Sequence, residues 1–391
     1  MSASKLKYLL LGTLAAGAVT SATPAAALTI ALNDIGGVTG SQAETGFRIA
    51  AKYWESVLTN PGEAKLDIGF SSLGPGILGG TSSALATYVP IDFYYDRLGA
   101  TGNSALDAIA LSNLSPTNAA GSVQVTVPGE TVPGGGVDPF STRLAPTDGS
   151  EISSTIALST ANLLALGFEI NAGADAEIQF SSDFAFDFNP SDGIATGQYD
   201  FVGVAVHEIG HALGFLSGVD DFDFVAGTDE PIDQYWWGYG ADMFRYSDAD
   251  KLDWSIGTSS YFSIDGGQTA LFDGYFSTGT NFGNGWQASH WLPPNDPNAP
   301  CTDFRGIMNP YVCSQLVDSV TGLDLALFDA IGWNIDFDVL ADNNAYEFST
   351  AQMYDAFIAQ VPEPGTWALM ILGFGLTGQM VRRRRAASAR I

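Results

Sequence analysis

The apolar stretch from Phe201 to Leu216 constrains the fold more than any other part of the chain, because it carries two of the three histidines in the sequence. It is long enough for a buried helix, and it contains His207-Glu208-Ile209-Gly210-His211. A helix turns by about 100° per residue, so His207 and His211 lie one above the other on the same face. Two stacked imidazoles can bind one zinc ion, and the carboxylate of Glu208 can reach a water held by that ion.

A catalytic zinc site takes three protein ligands and leaves one position open. The third histidine of the sequence is His290, and we predict that it is the third ligand. Carboxylates also bind zinc, so Asp220 and Asp221 are alternatives, as is a loop position for His290 with no role at a metal. A purely structural pair of histidines on a buried helix face is disfavoured, because burying them without a partner is costly.

The composition is that of an acidic protein with ample apolar material for a core. The chain has 391 residues, a hydrophobic content of 46% and a formal net charge of −28. Such a surface repels nucleic acid and anionic lipid, so we expect no nucleic-acid partner. The acidity would also suit Ca²⁺, which is a second candidate cofactor, although a solvated acidic face is the simpler explanation.

Hydrophobic periodicity predicts a mixture of helices and strands. Apolar residues at helical spacing predict an amphipathic helix over 43–58 and another helix over 321–333. Alternation predicts a strand over 66–70 and a half-buried strand, or two strands, over 176–188. We expect the last of these to form a sheet edge that aligns an extended peptide by adding a strand. Gly218 is predicted to end the histidine-bearing helix in a left-handed turn.

Residues 1–27 have the pattern of a secretory signal peptide. Two lysines near the start precede an apolar stretch from Tyr8 to about Val19, and Ala25-Ala26-Ala27 supplies a small-x-small cleavage site. We therefore predict that the mature protein begins at Leu28. An uncleaved anchor is the alternative, but the apolar stretch is short for a membrane span.

Residues 361–391 form a tripartite tail. The tail opens with Val361-Pro362-Glu363-Pro364-Gly365, continues with an apolar run from Thr366 to Val381 that is just long enough for a transmembrane segment, and closes with Arg382 to Arg385. It resembles the PEP-CTERM sorting signal of Gram-negative bacteria. The resemblance implies an exported protein of the cell surface or extracellular medium, anchored transiently in the inner membrane and cut by an exosortase-type transpeptidase. An ordinary single-pass anchor is the alternative.

The surroundings of the zinc-binding motif carry a second resemblance. In compact metzincin peptidases the motif continues through a glycine, here Gly214, to a third histidine, and this chain has Ser217 at that last position. Leishmanolysin-like metzincins place the third histidine after a long insertion and follow it with a methionine turn. The chain resembles that arrangement, because Gly306-Ile307-Met308-Asn309-Pro310 follows His290. The resemblance is confined to residues 199–219 and 286–333.

The metzincin resemblance implies an α/β zincin fold over a metallopeptidase domain at 28–340. A twisted mixed sheet and the active-site helix would form an upper part (28–219), and an irregular lower part (220–340) would carry the methionine turn and a C-terminal helix. Residues 341–360 would link this domain to the sorting tail. The implied site has these members: zinc ligands His207, His211 and His290, general base Glu208, Met308 as a floor below the metal, and Tyr311 as an oxyanion contact.

Cys301 and Cys313 are the two cysteines of the chain. In an exported protein we predict that they form a disulfide. They bracket Met308, so the disulfide would close a short loop around the methionine turn and stabilise it by roughly 3 kcal/mol. A role as zinc ligands is disfavoured, because oxidation competes and three histidines suffice.

Together these features predict an exported zinc metalloendopeptidase acting on a protein or peptide substrate. Glu208 would take a proton from a zinc-bound water and return it to the leaving amine. One alternative is a non-catalytic zinc-containing protein that binds at the cell surface or in a matrix, but such a protein needs no base at Glu208. Another alternative is a zinc amidase acting on cell-wall peptides, which would use the same residues.

Overall fold

The computed structural model describes residues 27–168, 173–235, 237–293 and 304–360, and these form a mixed α/β fold. The strands are β1 (Leu28–Gly36), β2 (Gly62–Ser71), β3 (Gly79–Ser83), β4 (Leu85–Pro90), β5 (Val125–Gly129), β6 (Asp138–Leu144), β7 (Thr155–Ser159), β8 (Ala176–Ser181), β9 (Phe186–Asp187), β10 (Tyr199–Asp200), β11 (Gly238–Tyr239), β12 (Arg245–Asp248), β13 (Lys251–Asp253), β14 (Ser260–Phe262), β15 (Tyr275–Phe276), β16 (Ser319–Thr321) and β17 (Glu347–Ser349). The α-helices are α1 (Gln42–Val57), α2 (Ile91–Thr101), α3 (Ala105–Asn113), α4 (Glu151–Ser154), α5 (Thr160–Ala165), α6 (Phe201–Ala212), α7 (Gly218–Val225), α8 (Ile232–Tyr235), α9 (Gly322–Ala330), α10 (Val339–Asp342) and α11 (Thr350–Gln360). Short 3₁₀ helices lie at Pro190–Asp192, Gly240–Phe244 and Leu271–Asp273.

A four-stranded sheet in the order β1-β2-β8-β3 lies next to the candidate site. Strands β1, β2 and β8 are parallel, and β3 joins β8 in the antiparallel direction. Ala176, Ile178 and Phe180 of β8 are buried at alternate positions, as the sequence predicts. The expectation that this strand forms the edge is wrong, because β8 lies inside the sheet. The edge strands of this described sheet are β1 and β3. Strand β3 is the one that contacts α6, and its glycines gave no alternating pattern.

Helix α1 confirms the helix predicted over 43–58, and it packs against α6. The indole N–H of Trp54 donates to the carbonyl of Val206 at 3.1 Å. Gly46 lets the two helices approach closely, because a Cβ there would lie 2.3 Å from the ring of Phe201. These contacts fix the position of α6 against the rest of the fold.

The second half of the chain is more regular than the predicted lower part. Strands β12 to β15 join β5 and β6 in a six-stranded sheet with the order β15-β14-β12-β13-β5-β6. Each of β12 to β15 has two to four residues. Strands this short do not show a recognisable alternation of apolar and polar residues in the sequence. Helix α9 confirms the helix predicted over 321–333. One hydrophobic core extends from Leu28 to Met353 and joins the two parts.

The segment 341–360, predicted as a linker, instead contributes a strand and a helix to the fold. Strand β17 pairs with β16, and α11 follows it directly. Thr350 and Met353 of α11 are buried, and the Thr350 hydroxyl donates to the carboxylate of Asp200 at the start of α6. The segment carries apolar residues at helical spacing, among them Met353, Tyr354 and Phe357, so the prediction of a polar linker overlooked a signal that the sequence contains.

Three predictions concern residues outside the described ranges. The first is the signal peptide predicted over 1–27, because the described chain begins at residue 27. The predicted transmembrane run from Thr366 to Val381 also lies outside these ranges, and among the residues that are described no helix is both long and apolar enough to cross a membrane. Cys301 also lies outside, so the disulfide with Cys313 stays a prediction. Cys313 itself is buried and is not a free thiol.

Candidate metal centre

Helix α6 presents the two histidines of the motif on one buried face. Asp200 caps its start, with the side chain accepting from the N–H of Gly203 at 3.0 Å. The chain leaves the helix through Gly214, which has a φ of +119°. The predicted exit at Gly218 is therefore wrong, because that residue opens α7 and Ser217 caps it. The Ser217 hydroxyl donates to Asp242, away from the histidines.

The three histidines converge on one point. The Nε2 atoms of His207 and His211 lie 3.1 Å apart, those of His211 and His290 lie 3.1 Å apart, and those of His290 and His207 lie 3.2 Å apart. All three side chains are buried. Among the described residues, this triad is the one group of His, Cys, Asp or Glu side chains placed to hold a metal ion. The structure thus brings His290, rather than Asp220 or Asp221, to the helix pair.

The opposite ring nitrogens show which tautomer each histidine adopts. The Nδ1 atoms of His207, His211 and His290 lie 2.7 Å from the carbonyl of Ile307, 2.8 Å from that of Phe215 and 3.3 Å from that of Gln287, respectively. A carbonyl oxygen only accepts, so each Nδ1 carries the proton and donates. Each Nε2 then directs an unprotonated lone pair at the common centre.

The electrostatics and the spacing both fit a zinc ion. Burial lowers the pKa of His207 to about 4, and burial together with the neighbouring His207 lowers the pKa of His211 to about 3. Burial, with His211 and His207 nearby, also puts the pKa of His290 well below its usual value. All three rings are therefore neutral at pH 7, the form that binds metal. Ligand nitrogens of a tetrahedral zinc site lie about 3.3 Å apart, close to the spacing found here.

Glu208 lies one residue along α6 from the first histidine, and its side chain is 5% exposed. The hydroxyl of Thr81 on strand β3 lies 2.8 Å from its Oε2 atom. Burial raises the pKa of Glu208 to about 7, although the Thr81 hydrogen bond acts in the lowering direction. A carboxyl group with such a pKa can both accept and release a proton near neutral pH.

These groups open onto a cleft of about 690 Å³. Strand β3 lines the cleft through residues 79–81, and residues 286–287, 289–290 and 309–312 line it as well. Asp220 and Asp221 also line the cleft, whereas none of the described lining residues is Lys or Arg.

Asp220 holds the segment that carries His290. Its two carboxylate oxygens accept from the backbone N–H groups of Ala288 and Ser289 at 2.5 and 2.9 Å. Asp221 instead accepts from the Tyr239 hydroxyl at 3.0 Å. The sequence pointed to these two aspartates as alternative ligands and missed the positioning role of the first. No local pattern revealed it, because the contact joins α7 to a distant loop.

Met308 lies against helix α6, and its role as the floor of the site stays a prediction. It is fully buried, and a Cβ on Gly210 of α6 would lie 2.6 Å from its sulfur. Asp324 at the start of α9 holds the turn, accepting from the N–H groups of Ile307 at 2.9 Å and Met308 at 3.3 Å. Sequence reasoning missed Asp324. The available signal was the spacing Thr321-x-x-Asp324 before an apolar run, which is typical of a helix start.

Tyr311 lies on the wall of the cleft, where its ring centroid is 5.3 Å from that of Trp286. The cleft position agrees with a residue near bound substrate. Its predicted role as an oxyanion contact stays a prediction, as does a site for calcium.

Comparison with known proteins identifies the tail. The family model of the PEP-CTERM protein-sorting motif matches residues 360–385. The predicted sorting signal is thus confirmed, and it marks an exported protein that an exosortase recognises at its C-terminus. No curated protein and no solved structure matches the chain. The function of the folded part must therefore be inferred from its own geometry.

Proposed function

We propose that this protein is an exported zinc-dependent metalloendopeptidase. The observation that carries the proposal is the convergence of three Nε2 atoms within 3.2 Å of one another. The contacts of the Nδ1 atoms with carbonyl oxygens imply that each Nε2 is unprotonated. Three lone pairs at that spacing repel one another unless a cation lies between them. His207, His211 and His290 would hold zinc, the cation that three neutral imidazoles with one open position suit.

Glu208 would be the general base and acid of the reaction. A zinc ion in such a site polarises a carbonyl and lowers the pKa of water. The Glu208 carboxylate faces the cleft beside the histidines and would take the proton of the attacking water. It would then donate that proton to the amine that leaves as the peptide bond breaks. The buried, water-poor surroundings of Glu208 favour this exchange because they bring its pKa to about 7.

Three features support a metzincin-like architecture in particular. Strand β3 runs antiparallel at the sheet edge next to α6. The third histidine comes from a distant loop, and Met308 lies against Gly210 beneath the site. In a peptidase of this kind, an extended substrate would pair with the edge of β3 rather than with β8, and its scissile bond would pass over the histidines.

The decisive experiment combines zinc content with cleavage of casein. We expect Glu208→Gln to retain zinc and lose at least about 100-fold in cleavage, because general base catalysis alone contributes on the order of 10²–10⁴. His290→Ala should lose both zinc and cleavage, because only two of the three histidine ligands remain. Glu177→Gln on the exposed face of β8 is the matched control and should change neither.

Other results would redirect the proposal. Full zinc occupancy in His290→Ala would move the third ligand to Asp220 or Asp221. A wild-type protein that binds zinc but cleaves neither casein nor peptides would favour the binding role. Cleavage of cell-wall peptides with casein left intact would make the protein a zinc amidase.

A further inference from the structure

We propose that Thr81 of strand β3 is a positioning residue for the carboxylate of Glu208, and that substrate pairing along β3 tightens this contact. The inference rests on the proposed peptidase function and extends it to a residue outside the zinc-binding motif.

One face of strand β3 lies against helix α6. Gly79, Thr81 and Ser83 share this face, because side chains alternate along a strand. A Cβ on Gly79 would lie 2.9 Å from Oε1 of Glu208, so only glycine leaves room for the carboxylate there. Thr81 Oγ1 lies 2.8 Å from Oε2 of Glu208, and Ser83 donates to the carbonyl of His211 at 3.3 Å. The strand therefore encloses both carboxylate oxygens.

Thr81 can serve both protonation states of Glu208. Its Oγ1 atom lies 2.8 Å from Oε2 and 2.9 Å from the main-chain carbonyl oxygen of Glu208, but a hydroxyl has one proton to donate. When Glu208 is ionised, Thr81 donates to Oε2. When the other carboxylate oxygen, Oε1, has taken a proton from water, Oε2 is the carbonyl oxygen of the acid and still accepts from Thr81, so the proton on Oε1 can pass to the leaving amine. The heavy atoms need not move, so the carboxylate stays aligned as the proton arrives and leaves.

The position of β3 links this contact to substrate binding. Within the described part of the chain, β3 pairs along one side with β8, with Thr81 opposite Ile178, and its other side is the sheet edge. A peptide that pairs with this edge would restrain β3 and hold Thr81 against Glu208. Binding energy from residues away from the scissile bond would then appear in kcat as well as in KM.

The kinetic test compares Thr81→Val, which has the same shape without the hydroxyl, with Thr81→Ser, which restores the hydroxyl. We expect Thr81→Val to lower kcat about tenfold or more, since a hydrogen bond to a charged group is lost. Zinc content and the KM for a short peptide should be unchanged, and Thr81→Ser should recover most of the kcat. Ser82→Ala is the matched control, because Ser82 is exposed on the opposite face of the strand.

A series of peptides with one scissile sequence and increasing length tests the link to substrate. In the wild type, kcat should rise as the peptide becomes long enough to pair with β3, and in Thr81→Val this rise should disappear. A wild-type kcat in zinc-loaded Thr81→Val, or an equal loss in Ser82→Ala, would overturn the positioning role. The proposed peptidase function would survive that result.

A measurement on the zinc-free exported protein tests the contact without activity. The melting temperatures of Thr81→Val, Glu208→Ala and the double variant form a double-mutant cycle. We expect the loss in the double variant to be smaller than the two single losses together. Additive losses would refute the contact whatever the activity. A zinc-binding wild type with no peptidase activity would instead overturn the proposed function and the link to substrate, while non-additive losses would still establish the contact.

Discussion

Several buried aspartates of this protein accept hydrogen bonds from main-chain N–H groups. Asp223, Asp242 and Asp324 are each at most 3% exposed, and each accepts from at least two backbone N–H groups. A carboxylate that accepts several N–H bonds can stabilise a loop that has no regular secondary structure. Some of the acidic residues that the sequence analysis assigned to a solvated face are therefore buried and hold main-chain groups in place.

Ionisation of the buried Asp329 should lower the stability of the protein as the pH rises. Burial, with repulsion from Asp107, raises its pKa to about 8, while an aspartate in the unfolded chain has a pKa of about 4. As the pH rises, the unfolded protein releases this proton first. The side chain therefore contributes its full stability below about pH 4 and loses it progressively up to about pH 8.

Asp329→Asn should remove that loss. We expect the variant to match the wild type below about pH 4 and to exceed it above about pH 8, by about 1.4 kcal/mol for each unit by which folding raises the pKa. Urea denaturation at a series of pH values measures the difference. Asp96→Asn, at an exposed position of α2, is the control. Parallel stability curves for the wild type and Asp329→Asn would show that Asp329 is not the group responsible.

At the scale of elements, the methionine turn and helix α9 act as one unit. Asp324 accepts the N–H groups of Ile307, Met308 and Thr321, and it also accepts the indole N–H of Trp291, next to His290, at 2.8 Å. One carboxylate thus joins the turn at Met308 to the loop that carries the third histidine. Helix α9 therefore supports the position of the histidines in the candidate metal centre.

Asp324→Asn should disturb this unit. An amide replaces one acceptor oxygen with a donor that faces other donors, so we expect a loss of about 1–3 kcal/mol in the free energy of unfolding. Zinc affinity should also fall, because Met308 and the loop of His290 lose a common support. Thermal unfolding and zinc titration measure the two effects, with Asp355→Asn on the exposed side of α11 as control. An unchanged zinc affinity would separate the turn from the metal centre.

At the scale of the whole molecule, the folded body continues directly to the sorting motif. Helix α11 ends at Gln360, where the matched motif begins, and Met353 of α11 belongs to the common core. The Thr350 hydroxyl joins this helix to Asp200 at the start of α6. Helix α11 is thus part of the folded protein that carries the sorting signal.

Truncation at two positions tests this arrangement. A chain of residues 28–360 should fold and bind zinc, because it keeps every described element. A chain of residues 28–345 loses β17 and α11, and with them a buried hydrogen bond and a buried methionine. We expect it to be less stable by about 3 kcal/mol or more. Thermal unfolding measures the difference. Equal melting temperatures of the two chains would support the prediction that residues 341–360 are a linker.

The sequence by itself determined the features that depend on neighbours along the chain. Two histidines four residues apart share a helix face whatever surrounds them, and the amphipathic segment of α1 shows its helical period directly. Helices α6 and α9 are buried on every side, and the sequence shows them as long apolar runs. Only the tertiary structure decided that His290 folds back to the pair, that β3 rather than β8 forms the edge, and that Asp324 holds Met308. These are contacts between distant segments whose free energy depends on burial and on hydrogen bonds to main-chain groups, and neither leaves a periodic pattern in the sequence.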